Sequence, residues 1–259
     1  MIVTDQTLVS LPVFSKVRDT LTRSNLASVV YSDAHGNPIE SQVTAGVQKF
    51  RETKADSLIL FGGGCALDVG KAIALMVYHP GKLFDYEDGQ VDSNEFNREI
   101  PFMLAIPSTA GTGSEVGGSA VISSDDDHKK VIIWSERLMP NWVIADPDLT
   151  LDLPRSVTAA TGVDALTHNI EAYLSKTTHP LCDGIALEGI HLVSKFLLRA
   201  CENPHDKEAR AGMLAASMMG AVAFQKGLGV THSCAHALST CYDLHHGLSN
   251  ALMLEACLE

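Results

Sequence analysis

Asp164 and His168 stand four residues apart in TGVDALTHNIEAY, residues 161–173, a stretch that otherwise reads as a buried helix. Positions i and i+4 of a helix stack on one face, so the two side chains converge on one point. Inside a half-apolar helix an acid and an imidazole either satisfy each other through a hydrogen bond or hold something between them. More imidazoles follow in GLGVTHSCAHALSTCYDLHHGLSNA, residues 227–251, where His232, His236, His245 and His246 fall among Ala, Leu and Gly. A single histidine on an apolar face is ordinarily a satisfied core residue, whereas four within fifteen positions are hard to explain by packing. Buried imidazoles and a buried carboxylate can be satisfied together by a divalent cation. An Asp-plus-His set with no required cysteine suits Fe2+, Zn2+ or Mn2+, with a position left for water or a substrate oxygen. His232 and His236 repeat the spacing of Asp164 and His168, and spacing alone does not decide which of the four histidines bind.

Two glycine-rich turns carry a different chemistry. LILFGGGCALDVGKA, residues 58–72, is a strand that ends in three glycines and runs into a helix. There the backbone N–H groups can approach an anion at the positive end of the helix dipole, as a pyrophosphate cradle requires. A Walker A loop is excluded by Cys65 and Ala72, and a GxGxxG fingerprint by Leu67. IPSTAGTGSEVGGSAV, residues 106–121, is a second Gly, Ser and Thr loop after an apolar strand, able to close over a nucleotide. Two such loops favour a dinucleotide. Asp5, at the end of the first strand, would accept bonds from ribose hydroxyls and disfavour a 2′-phosphate, hence NAD over NADP. Otherwise it is a simple turn residue.

These groups need a scaffold. The runs MIVTD (1–5), LASVVYS (26–32), DSLILFGGG (56–64), PFMLAIPS (101–108) and WVIADP (142–147) read as strands. Helix-length segments such as 41–54 and 66–79 lie between several of them, as in parallel α/β units. From Leu153 onward β-like runs vanish and helical periodicity takes over. The boundary falls near LTLDLP, 149–154, which predicts an α/β dinucleotide-binding domain over 1–152 and an all-helical metal-binding and catalytic domain over 153–259. Both ends look abrupt, since the chain opens in a strand and stops at ALMLEACLE inside an apolar helical pattern, so a fragment is expected.

Composition narrows the function. With 46% hydrophobic residues among 259, the chain can bury a sizeable core. A formal charge of −12 argues against nucleic acid and anionic membranes as partners. The six cysteines show no CxxC spacing and fit reduced thiols, and the N-terminus lacks signal-peptide character; both point to the cytoplasm.

Taken in order, GGGCALDVGKA, IPSTAGTGSEV, ADPDLTLDLP, TGVDALTHNIEAY and GLGVTHSCAHAL with LHHGLSNA resemble the signature blocks of the iron-containing (group III) alcohol dehydrogenase family. The resemblance runs over essentially the whole chain, without a short N-terminal stretch and the last helices of that family. It implies that one Asp and three His hold the metal, Fe2+ with Zn2+ possible, and that these correspond to Asp164, His168, His232 and His246. It moves His236 beside the metal as a proton relay and leaves His245 without a role. For NAD it assigns Asp5, Asn37, Gly63, Gly64, Cys65, Asp68, Ser108, Thr109, Thr112, Val121 and Lys130. The chain departs from the pattern where Cys65 replaces a usual Ser, exchanging a hydroxyl for a weaker thiol donor, and where Gly117 and Gly118 replace larger residues.

The resemblance further implies hydride transfer between NAD and an alcohol, aldehyde or ketone, with the metal as Lewis acid and His236 or water carrying the proton, in a homodimer or larger assembly. A dehydroquinate synthase-like lyase shares the architecture, as does a glycerol dehydrogenase-like enzyme. The lyase needs several cations around the metal to bind a phosphorylated, carboxylated substrate, and from Arg155 onward only Lys226 adjoins the histidine motif. The third alternative is a non-catalytic truncated remnant that still binds NAD.

Overall fold

The apolar run around Leu58 to Phe61 becomes the central strand of a parallel sheet in the computed structural model, which describes residues 1–259. Seven strands form: β1 (Ile2–Val3), β2 (Val30–Tyr31), β3 (Ser57–Gly62), β4 (Phe102–Pro107), β5 (Ser119–Ser123), β6 (Lys130–Trp134) and β7 (Trp142–Val143). Five of them make one sheet in the order β2-β1-β3-β4-β7, every neighbouring pair parallel. With them run the helices α1 (Gln6–Val9), α2 (Pro12–Arg23), α3 (Glu40–Glu52) and α4 (Gly64–Tyr78). From β1 the chain steps to β2 on one side and then returns to β3 on the other. In open parallel sheets such a reversal opens a ligand crevice at the carboxyl ends of the two strands. The residues at those ends are Asp5, after β1, and Gly62 to Gly64, after β3.

The turn from β3 to α4 is tight. Gly62 has φ +155°, and a Cβ there would lie 2.7 Å from the Cβ of Ala66, so a side chain would push the first turn of α4 off the strand. Every residue from Ala66 to Leu75 in α4 is buried, packed with Leu58, Leu60, Val43 and Phe50. Each buried Leu or Ile side chain contributes about 1.5–3 kcal/mol relative to exposure. Two charged residues lie in this buried helix and are spent on the backbone of β5. Asp68 accepts from the Val121 N–H at 3.1 Å, and the fully buried Lys71 donates to the Ser119 carbonyl at 3.0 Å.

Several strand expectations need correction. The runs at 1–5, 26–32 and 142–147 each keep only two strand residues. Asp5 turns its carboxylate back to cap α1, accepting from Leu8 N–H at 2.7 Å, and Asp146 caps a 3-10 turn that begins at Pro147. The β5–β6 hairpin was not anticipated: it is antiparallel, with Val131 and Ile133 buried and Ile132 and Trp134 exposed in strict alternation.

The remainder is helical, with α5 (Arg155–Leu174), α6 (Pro180–Glu202), α7 (Lys207–Ala223), α8 (Val230–Tyr242) and α9 (His246–Leu258). The chain divides into two compact units, residues 1–107 with 118–144 and residues 108–117 with 145–259. The loop after β4 thus groups with the helices, and Ala110 joins Ala165, Val193, Phe196, Met213 and Leu214 in their core. No single helix is long and apolar enough to cross a membrane.

Candidate metal centre

Helix α5 presents Asp164, His168 and Glu171 on one face, at i, i+4 and i+7, and all three are buried. Helix α8 brings His232 in its first turn. The chain then reverses through Asp243, left-handed at φ 51°, so that α9 returns His246 to the same place. One ligand atom from each of Asp164, His168, His232 and His246 lies within 4.8 Å of the others. The rings of His168 and His232 stack at 4.4 Å between centroids, and Phe224 lies 4.9 Å from His168 on the apolar side.

Hydrogen bonds orient these side chains. His168 Nδ1 donates to the Gly111 carbonyl at 3.3 Å, and His232 Nδ1 donates to Glu171 Oε2 at 2.6 Å. Asn250, one turn beyond His246 and fully buried, donates from Nδ2 to Asp164 Oδ1 at 2.6 Å. The same amide nitrogen lies 3.3 Å from both His232 Nε2 and His246 Nε2, while its Oδ1 is buried without a hydrogen-bond partner. Two amide hydrogens thus face three converging polar atoms, an arrangement a cation would complete. Three imidazoles and a carboxylate are an apt donor set for Fe2+ or Zn2+.

The local field prepares Asp164 and His168 for a cation. Burial alone would push the Asp164 carboxyl up, but His168, His246 and His232 around it outweigh burial and hold it far below the usual carboxylate range. Burial draws His168 down to about 4 against the pull of Asp164, which leaves it neutral at physiological pH. Glu171 falls to about 2, burial being overcome by the bonds it accepts from His232 and the start of α8. In His232 burial is likewise overcome, here by Asp164 and Glu171, and its pKa is raised.

The other expected residues separate clearly. His236 is outside the four-atom cluster, half-buried, with its ring 5.3 Å from that of His246 and 6.5 Å from that of His232. His245 is exposed. Asp5, Asn37, Gly63, Gly64, Cys65, Asp68, Val121 and Lys130 belong to the sheet-containing unit, and Ser108, Thr109 and Thr112 to the helical one. Gly63 caps α4 with no side chain bonded over the helix end, which leaves the N–H groups of the first turn without a side-chain acceptor. Burial, with Asp68 and Asp5 nearby, pushes the Cys65 thiol up to about 12, so it serves as a neutral group beside that turn. Sequence reasoning missed Glu171, Asn250 and the Gly111 carbonyl. Glu171 continues the stripe of Asp164 and His168 and was open to discovery, whereas a backbone carbonyl from a distant loop carries no sequence signal.

Comparison with known proteins bears on this geometry. Residues 1–147 match the family described as iron-containing alcohol dehydrogenase, and residues 158–259 match the C-terminal part of the Fe-containing alcohol dehydrogenase family. The chain is 38% identical to 4-hydroxybutyrate dehydrogenase of Cupriavidus necator, over 100% of this chain and 68% of that protein. It is 36% identical to NAD-dependent methanol dehydrogenase of Bacillus methanolicus, over 97% and 65%. Among solved structures it is similar to 1,3-propanediol oxidoreductase, with TM-score 0.92 and 34% identity, covering 98% of this chain and 65% of that one. The chain therefore spans about two thirds of the length of these relatives.

Proposed function

Because the chain belongs to the iron-containing alcohol dehydrogenase family, we propose that it transfers a hydride between NAD and a small-molecule alcohol, or the corresponding aldehyde or ketone. The observation that carries this reading is the convergence of four ligand atoms within 4.8 Å, three of them on buried side chains and the fourth on the half-buried His246. Asp164, His168, His232 and His246 would hold Fe2+, with Zn2+ as the alternative occupant. Bound there, the ion supplies Lewis-acid chemistry that eases loss of the alcohol's hydroxyl proton, and NAD supplies the hydride acceptor.

The chain's own residues do the rest. Asp164 contributes the negative charge that offsets a dication where water is scarce, and Phe224 against His168 keeps that side dry. A ring nitrogen of His236, within reach of His246 and of solvent, takes the hydroxyl proton and passes it to water. The N–H groups at the start of α4 bind the pyrophosphate, and Asp5 orients a ribose. A cytoplasmic location and a homodimer or larger assembly go with this reading, as do the six free thiols.

The test uses metal-stripped protein reloaded with Fe2+ or Zn2+ and follows NADH absorbance with primary alcohols and diols, among them methanol, 1,3-propanediol and 4-hydroxybutyrate. NADH should form, and Asp164→Ala and His246→Ala should abolish it. Turnover that persists in both variants would overturn the assignment.

A further inference from the structure

We propose that Glu171 is the positioning residue of this centre, setting which nitrogen of His232 faces the other three ligand atoms. The inference rests on reading Asp164, His168, His232 and His246 as a metal centre. Glu171 is 5% exposed and makes three bonds to the start of α8. Its Oε1 accepts from the Thr231 N–H at 2.6 Å, while its Oε2 accepts from the His232 N–H at 3.3 Å and from His232 Nδ1 at 2.6 Å. Helix α8 has Gly229 at its N-cap and no side chain of its own over its end, so a carboxylate from α5 performs the capping. A Cβ at residue 229 would stand 2.6 Å from Glu171 Oε1, which explains glycine there.

An ionised carboxylate has only lone pairs to offer, so the ring nitrogen that meets it must carry the hydrogen. With the hydrogen on Nδ1, the lone pair of His232 sits on Nε2. That atom lies 3.8 Å from Asp164 Oδ1 and 3.3 Å from the Asn250 amide nitrogen, facing the cluster. A carboxylate bonded to the far nitrogen of a metal-binding histidine is a recurring way to fix ring orientation and raise ligand basicity. Glu171→Gln separates this role from capping. The amide oxygen can still accept from the Thr231 N–H, but its NH2 group would face Nδ1 and donate to it, forcing the hydrogen onto Nε2, where it blocks ligation.

The experiment measures Zn2+ and Co2+ affinity by chelator competition, with long-range 1H–15N NMR of the His232 ring. At a pH where His232 is neutral, wild type should carry the hydrogen on Nδ1 without metal. E171Q should carry it on Nε2 and bind either ion about 10–100-fold more weakly, with an altered Co2+ visible spectrum. It should remain folded in chelator, with wild-type helical circular dichroism. Unchanged affinity in folded E171Q, or a wild-type His232 with its hydrogen on Nε2, overturns the proposal, and the wild-type spectrum decides the matter even if E171Q fails to fold. If Asp164→Ala binds Co2+ as wild type does, the metal reading itself fails.

Discussion

Zn2+ supplied to metal-stripped protein should raise its melting temperature through the cross-link that the ion makes. The ligand atoms come from α5, α8 and α9, so unfolding of the helical unit destroys the set. An ion that binds only the folded chain, at a free concentration about a hundred times its Kd, stabilises it by about 2.7 kcal/mol. For a unit of this size that corresponds to a shift of about 10 °C. A melt followed by far-UV circular dichroism, with and without metal, reads the shift directly. Asp164→Ala and His246→Ala should remove it, and His245→Gln, at an exposed neighbour of His246, should keep it. A shift that survives in both ligand variants, or disappears in H245Q, would refute the convergence of these particular side chains on one ion.

Two further outcomes follow from the charges. Asp164 and His168 have already given up their protons well below neutral pH, whereas His232 is held above its ordinary value by Asp164 and Glu171. Below its raised pKa His232 carries a proton that metal must displace, so apparent Zn2+ affinity should be full above that pKa and fall about tenfold per pH unit below it. Chelator competition across the neutral range measures this, and a flat or inverted profile would contradict it. Because Cys65 is pushed up to about 12, only about one thiol in ten thousand is ionised near pH 8. Mass spectrometry after brief iodoacetamide treatment should find the exposed Cys241 modified and Cys65 untouched, and equal labelling of the two would contradict that environment.

The parts of this molecule marked by apolar runs or by a helical period were legible in its sequence. The parallel sheet follows from short apolar runs alternating with helix-length segments, and the helical second half and the Asp164–His168 stripe from spacing of three and four. His246 did not follow, since spacing pairs His232 with His236. What brings His246 in is the reversal at Asp243, a single left-handed residue that no periodicity announces. The hairpin failed for another reason: Ser119 to Val121 lie within the stretch read as a glycine-rich loop, although KVIIW alternates as a half-buried strand does. Short strands such as Ile2–Val3 were overextended because the acid that follows was weighed only for ribose or a turn, while its carboxylate caps the next helix.

The helical unit is discontinuous along the chain, with its first piece, residues 108–117, inserted between β4 and β5. During synthesis this loop leaves the ribosome long before α5, α6 and α7 exist to receive Ala110, and before His168 can bond to Gly111. The loop therefore stays solvated while the strands around it pair, and docks only when α5, α6 and α7 arrive. The unit that gathers the imidazoles is thus the later one to mature. A polypeptide severed at residue 145 would lack the carbonyl that aims His168, however well its helices formed.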